Sequence, residues 1–160
     1  MKIVICLFTI LMFNKDCEQH NATESNPITT NSEKSIMTQD NVMITYEAMT
    51  RGFYEKIWVS KDSITVSNDR NKVEKVSIST PQKDWSELTN LIKGIDIKQL
   101  PNLEAPTSMR QYDGAAFATL GVIQDNSETL SNSFDHGHPP KQIEALVNKV
   151  LSMRELLPKK

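Results

Sequence analysis

Apolar and polar positions alternate with a period of two from residue 42 onward. Val42, Ile44, Tyr46 and Ala48 fall on one side and Met43, Thr45 and Glu47 on the other, which predicts a β-strand with one buried face. Arg51-Gly52 interrupts the alternation. It resumes with Phe53, Glu55, Ile57 and Val59 against Tyr54, Lys56 and Trp58, a second strand in which Phe53 is expected in the core and Tyr54 half exposed. Lys61-Asp62 turns the chain into a third strand, Ser63-Ile64-Thr65-Val66-Ser67, and Asn68-Asp69-Arg70-Asn71 is the next turn signal. Val73 to Ser79, rich in β-branched residues, predicts a fourth strand, so the segment reads as an antiparallel meander.

The period then becomes helical. Thr80 is expected as the N-cap with Pro81 at the first helical position. Trp85, Leu88, Leu91, Ile92 and Ile95 form one apolar face, and Gly94 with the following stretch to Pro101 ends the helix. Residues 101–113 read as irregular. Ala115 to Gln124 predicts a fifth strand with Ala116, Ala118, Leu120 and Val122 on one side, and Glu128 to Phe134 a more polar sixth strand suited to an edge. Pro139-Pro140 is expected to open the last helix, in which Ile143, Leu146, Val147, Val150 and Leu151 recur at helical spacing. Four strands, a helix, a hairpin and a helix argue for one α+β domain over residues 41–157. It would be an antiparallel sheet of about six strands with two helices packed on one face.

Ahead of this domain the character changes twice. Lys2 precedes eleven uncharged residues, Ile3 to Phe13, too few to span a bilayer and of the length of a secretory h-region. Cys17 follows closely, as in bacterial lipoprotein signals where such a cysteine is acylated and becomes the new N-terminus. Lys15 and Asp16 depart from the small residues that usually precede it. Residues 1–17 are therefore expected to be a signal peptide with Cys17 lipidated. Plain secretion to a periplasm, or an uncleaved anchor, is the alternative. Of the two cysteines, Cys6 would leave with the signal, and acylation would remove the unpaired thiol that Cys17 otherwise presents to an oxidising compartment. Residues 18–40 are dominated by Ser, Thr, Asn, Gln and Glu and contain no aromatic residue, the composition of a disordered tether. Such a tether would span roughly 25–30 Å on average.

Charge narrows the partners. Eighteen basic and twenty acidic side chains give a formal net charge of −2, and the expected mature chain from residue 18 carries −3. That argues against nucleic acid, which requires a surplus of Lys and Arg on one face, and leaves membrane attachment to the lipid. With five glycines and no Walker, dinucleotide, Cys-x-x-Cys or Gly-x-Ser-x-Gly motif, no cofactor is implied.

Two clusters carry candidate chemistry. Asp135-His136-Gly137-His138 has metal-ligating types at close spacing, with Asp113 as a possible further group, and a metal-dependent or acid–base hydrolase is the alternative function this loop allows. The competing view is local structure: Asp135 bonding backbone amides, His136 a carbonyl, and Gly137 adopting a positive φ. Arg110-Gln111-Tyr112-Asp113-Gly114 places an Arg and an Asp three apart, to clamp a carboxylate or, more simply, to form a turn in which Arg110 pairs with Asp135. If Arg51, Arg110, Asp113, Asp135 and His136 converge, they define a polar binding site.

The strings TRGFYEKIWV, RQYDGAA and SFDHGHPPKQIEALVNKVL resemble small uncharacterised lipoproteins predicted in Bacteroidetes and flavobacteria, over about residues 42–152. The resemblance implies a cell-envelope location and carries over no catalytic residue. The expected function is a non-enzymatic domain, held off a membrane by its tether and lipid, that binds an envelope protein or a small ligand.

Overall fold

The computed structural model describes residues 41–158. The expected signal peptide with Cys17 and the expected tether fall on residues 1–40, which lie outside the described residues.

The strand that opens the domain becomes the middle of its sheet. β1 (Val42–Met49) pairs antiparallel with β2 (Tyr54–Val59) on one side and with β5 (Phe117–Gln124) on the other. β3 (Ser63–Ser67) and β4 (Val76–Ser79) continue the meander outward from β2. Beyond β5 come β6 (Ser127–Leu130) and the short β7 (Phe134–Asp135), giving the order β4-β3-β2-β1-β5-β6 with β7 also paired to β5. The fold is thus an α+β antiparallel sheet with α1 (Gln82–Lys93) and α2 (Glu144–Arg154) on one face.

Alternation fixes what each face holds. The register sets Tyr46 between Ile57 and Leu120, and Ile44 between Val59 and Val122, all buried beneath the helices. Trp85, Leu88 and Ile92 of α1 and Leu146, Val147 and Val150 of α2 complete that core. Each fully buried aliphatic contributes about 1.5–3 kcal/mol. Lys149 joins the two helices by bonding Asp84 at 2.7 Å and also Glu87. Glu55 is a charged residue on the core-facing side of β2, and Arg154 at the end of α2 satisfies it at 2.8 Å.

The opposite face of the sheet mixes apolar side chains with cross-strand polar pairs. Lys56 lies 2.8 Å from Glu47, and the Thr45 hydroxyl donates to Glu128 at 2.9 Å. Met49, Phe117 and Leu130 are exposed on this face. Among the described residues no helix is long and apolar enough to cross a membrane.

Several boundaries differ from expectation for local reasons. β4 begins at Val76 rather than Val73, because Asp69 accepts the amides of Asn71 and Val73, both at 3.0 Å, and Lys72 enters the left-handed region at φ 57°. Val73 is left 80% exposed. Thr80 does not cap α1, since its hydroxyl donates to the Ser60 carbonyl at 2.8 Å, and Pro81 is the N-cap instead. The stretch expected to be irregular contains two 3-10 helices, Ile97–Asn102 and Met109–Tyr112. β5 starts at Phe117, two residues late. The expected sixth strand is split into β6 and β7 where Ser131 turns inward, its amide donating to the Leu120 carbonyl and its hydroxyl accepting from the Leu120 amide. Pro139-Pro140 leads into a turn closed by Ile143 on the Pro140 carbonyl, so α2 starts only at Glu144. Phe53 and Tyr54 exchange their expected roles. Phe53 precedes the strand and is 39% exposed, whereas Tyr54 is covered by the Arg70 guanidinium, 5.9 Å from its ring.

Candidate functional site

Asp135 ends β7 with no exposed surface. A buried carboxylate is costly unless it is fully hydrogen-bonded. Here it accepts from the Thr107 hydroxyl at 2.6 Å, the Met109 amide at 2.7 Å, and the amide and guanidinium of Arg110, both at 3.0 Å. Burial alone would raise its pKa. The Thr107 hydroxyl, the Arg110 amide and guanidinium and the Met109 amide outweigh that and hold the carboxyl well below the usual carboxylate range. Arg110 also donates to the Thr107 carbonyl at 2.7 Å. Asp135 therefore fastens the 107–110 segment, as the simpler structural view of these residues expects.

His136 continues from this anchor. Its amide donates to the Ala116 carbonyl at 2.9 Å, and its ring Nδ1 is hydrogen-bonded to the Tyr46 hydroxyl at 2.8 Å. Burial first, and then the charge of Glu55, push the Tyr46 phenol above its ordinary pKa, so it is a neutral hydroxyl at physiological pH. The Phe53 ring stands 6.2 Å from the imidazole. Gly137 adopts φ 86°, a conformation that L side chains rarely take, and this lets the His138 amide return to the Asp135 carbonyl at 2.8 Å.

That geometry does not build the metal alternative. Asp135 is engaged by four donors, His136 by Tyr46, and His138 is exposed. Among the described residues no three His, Cys, Asp or Glu side chains are gathered as a ligand set.

Arg51 and Asp113 meet elsewhere. Arg51 lies in the β1–β2 turn and is exposed, and Asp113 caps the Met109–Tyr112 helix in the left-handed region at φ 58°. Both line a cleft of about 310 Å³ together with Met49, Arg70, Ala115 and Phe117. Met49 and Phe117 are direct cross-strand partners, so the cleft is built on the β1–β5 pairing. Arg70 braces its edge by donating to the carbonyls of Thr50 and Phe53. Next to Asp113, Gly114 gives the room the turn needs, since a Cβ there would lie 3.2 Å from the Met109 carbonyl oxygen. A second, wider cleft of about 470 Å³ includes Arg110, but that guanidinium is already engaged with Asp135 and Thr107.

The five expected residues thus divide by role. Arg110 and Asp135 form the anchor, Arg51 and Asp113 the cleft, and His136 the contact to Tyr46. Arg70 and the Met49–Phe117 pair went unforeseen, the first hidden in a turn signal, the second visible only once β5 is known to adjoin β1. A scan against protein-family models finds no match, and no curated protein matches the chain.

Proposed function

We propose that the protein is a cell-envelope lipoprotein, anchored through Cys17, whose α+β domain is a non-enzymatic binding module for a small ligand. The observation that carries the binding role is the Arg51–Asp113 cleft, set on an exposed apolar pair and fixed in shape from below. Asp135 supports binding over catalysis, because its oxygens serve as acceptors for the loop that presents Asp113. The eleven-residue uncharged run followed by Cys17 supports the anchor, and the polar 18–40 stretch supports a tether.

Metabolic labelling with a fatty-acid analogue tests the placement. The wild-type chain is expected to take up label and to fractionate with membranes, and Cys17→Ala to do neither. Unlabelled wild-type protein recovered at full length from the cytosol overturns the placement.

A further inference from the structure

On the reading of that cleft as a ligand site, we propose that it takes a small monocarboxylate with an apolar body. Three observations set this chemistry. The first is charge. The cleft holds two guanidiniums, Arg51 and Arg70, against the one carboxylate of Asp113, so it is locally positive in a chain of formal charge −2. The second is availability. Arg70 is engaged by the Thr50 and Phe53 carbonyls, which leaves it a brace, whereas the Arg51 side chain has no hydrogen bond or ion pair among the described residues. A free planar guanidinium matches a carboxylate with two parallel hydrogen bonds.

The third is the floor. Met49 is 38% exposed and Phe117 43%, side by side across the β1–β5 ladder. An apolar group resting there removes that area from water. A cleft of about 310 Å³ is at the small end of ligand sites, which favours a ligand of roughly 10–15 non-hydrogen atoms. Asp113 limits the charge: it repels a second anionic group, so a monocarboxylate is preferred to a dicarboxylate. Asp113 holds that position because Asp135 binds the amides of Met109 and Arg110, at the start of the turn that Asp113 closes.

The test is equilibrium dialysis of radiolabelled 3-phenylpropionate against the wild-type protein, purified as the cell processes it and placed in lipid nanodiscs, with empty nanodiscs as background. Saturable binding is expected. Unlabelled acid should displace it, phenylsuccinate should do so at least fivefold less well, and 3-phenylpropylamine should not displace it. Arg51→Met should weaken binding at least tenfold, and Arg51→Lys by less. Because Arg51 is exposed, both variants should keep the wild-type Tm, and the amine competition on the wild type serves as a measurement independent of either variant. Binding no greater than to empty discs, displacement by the amine as effective as by the acid, or unchanged affinity in Arg51→Met overturns the proposal. Labelled, membrane-held protein that fails to bind the acid sinks this ligand class and leaves the lipoprotein placement standing. Unlabelled cytosolic protein that binds it does the reverse.

Discussion

The Arg110 guanidinium reaches the Asp135 carboxylate at 3.0 Å across 25 positions of sequence, and that carboxylate has no exposed surface. The pair is one element of a larger clamp, since the same carboxylate takes the Thr107 hydroxyl and the amides of Met109 and Arg110. Asp135→Asn preserves shape but replaces one acceptor oxygen with a donor that faces other donors. Leaving buried donors unmatched is among the mechanisms that make a substitution severe. The expected result is a fall in Tm on the order of 10 °C, with amide NMR shifts concentrated in residues 107–114. Shifts spread evenly over the sheet would contradict the clamp.

The same carboxylate fixes a pH dependence. Its folded pKa is depressed, so its contribution to stability is complete above the unfolded value, about 3.9, and is lost progressively as pH falls below that value and through the lower folded one. The Tm difference between wild type and Asp135→Asn should therefore be constant from pH 7 to about pH 5 and shrink below about pH 4. Calorimetry of both proteins across that range checks this. A difference that closes near pH 6 would assign the effect to another group.

Gly121 shows a constraint of space rather than conformation. A Cβ there would lie 2.3 Å from the Thr45 hydroxyl and 2.8 Å from Glu128, directly under the hydrogen bond these two make across β5. Gly121→Ala should cost about 1–2 kcal/mol, from the displaced hydrogen bond and local overpacking. In a Thr45→Ala background the tightest contact is removed, and the Glu128 and Leu130 contacts that remain, at 2.8 and 2.9 Å, are with the ends of flexible side chains, so the cost should fall by about half. Urea denaturation of the four proteins closes the cycle, and equal costs in both backgrounds would show that the conflict is not with Thr45.

Local pattern was sufficient where structure is local. β1 and β3 and the buried stripe of α2 follow directly from periods of two and 3.6, and the fold class follows from their order. Periodicity says which side chains share a face but not which strand lies next to which. The pairing of β5 with β1 brings Met49 to Phe117, and with them Arg51 to Asp113, over some sixty positions of sequence. Hence all five candidate residues were recognisable by type, and Arg110 with Asp135 even as a pair, while their division into clamp and cleft was not. Two of the errors at element ends share a cause: a side chain took a partner outside its own element, as Thr80 does with Ser60 and Asp69 with the amides that follow it.

Lys149 supplies the last test, because it ties the two helices through one side chain. Its ammonium is mostly covered, and desolvation alone would lower its pKa. The hydrogen bonds and charges of Asp84 and Glu87 outweigh that and raise it. A raised folded pKa means stability fully present below the unfolded value, about 10.4, and lost as pH rises through the folded one. Lys149→Met keeps the stem and removes the charge. Asp84 and Glu87 stay accessible enough for water to replace part of the lost interaction, so the expected cost is only about 1 kcal/mol at neutral pH. Raising ionic strength from 0.05 to 1 M should reduce the wild-type advantage, because partly exposed pairs are screened. It should also shrink above about pH 10.5. Denaturation curves of wild type and Lys149→Met at the two ionic strengths and at pH 7 and 11 measure both effects. An advantage unchanged by salt and by alkali would mean that what Lys149 contributes is not its charge interaction with Asp84 and Glu87.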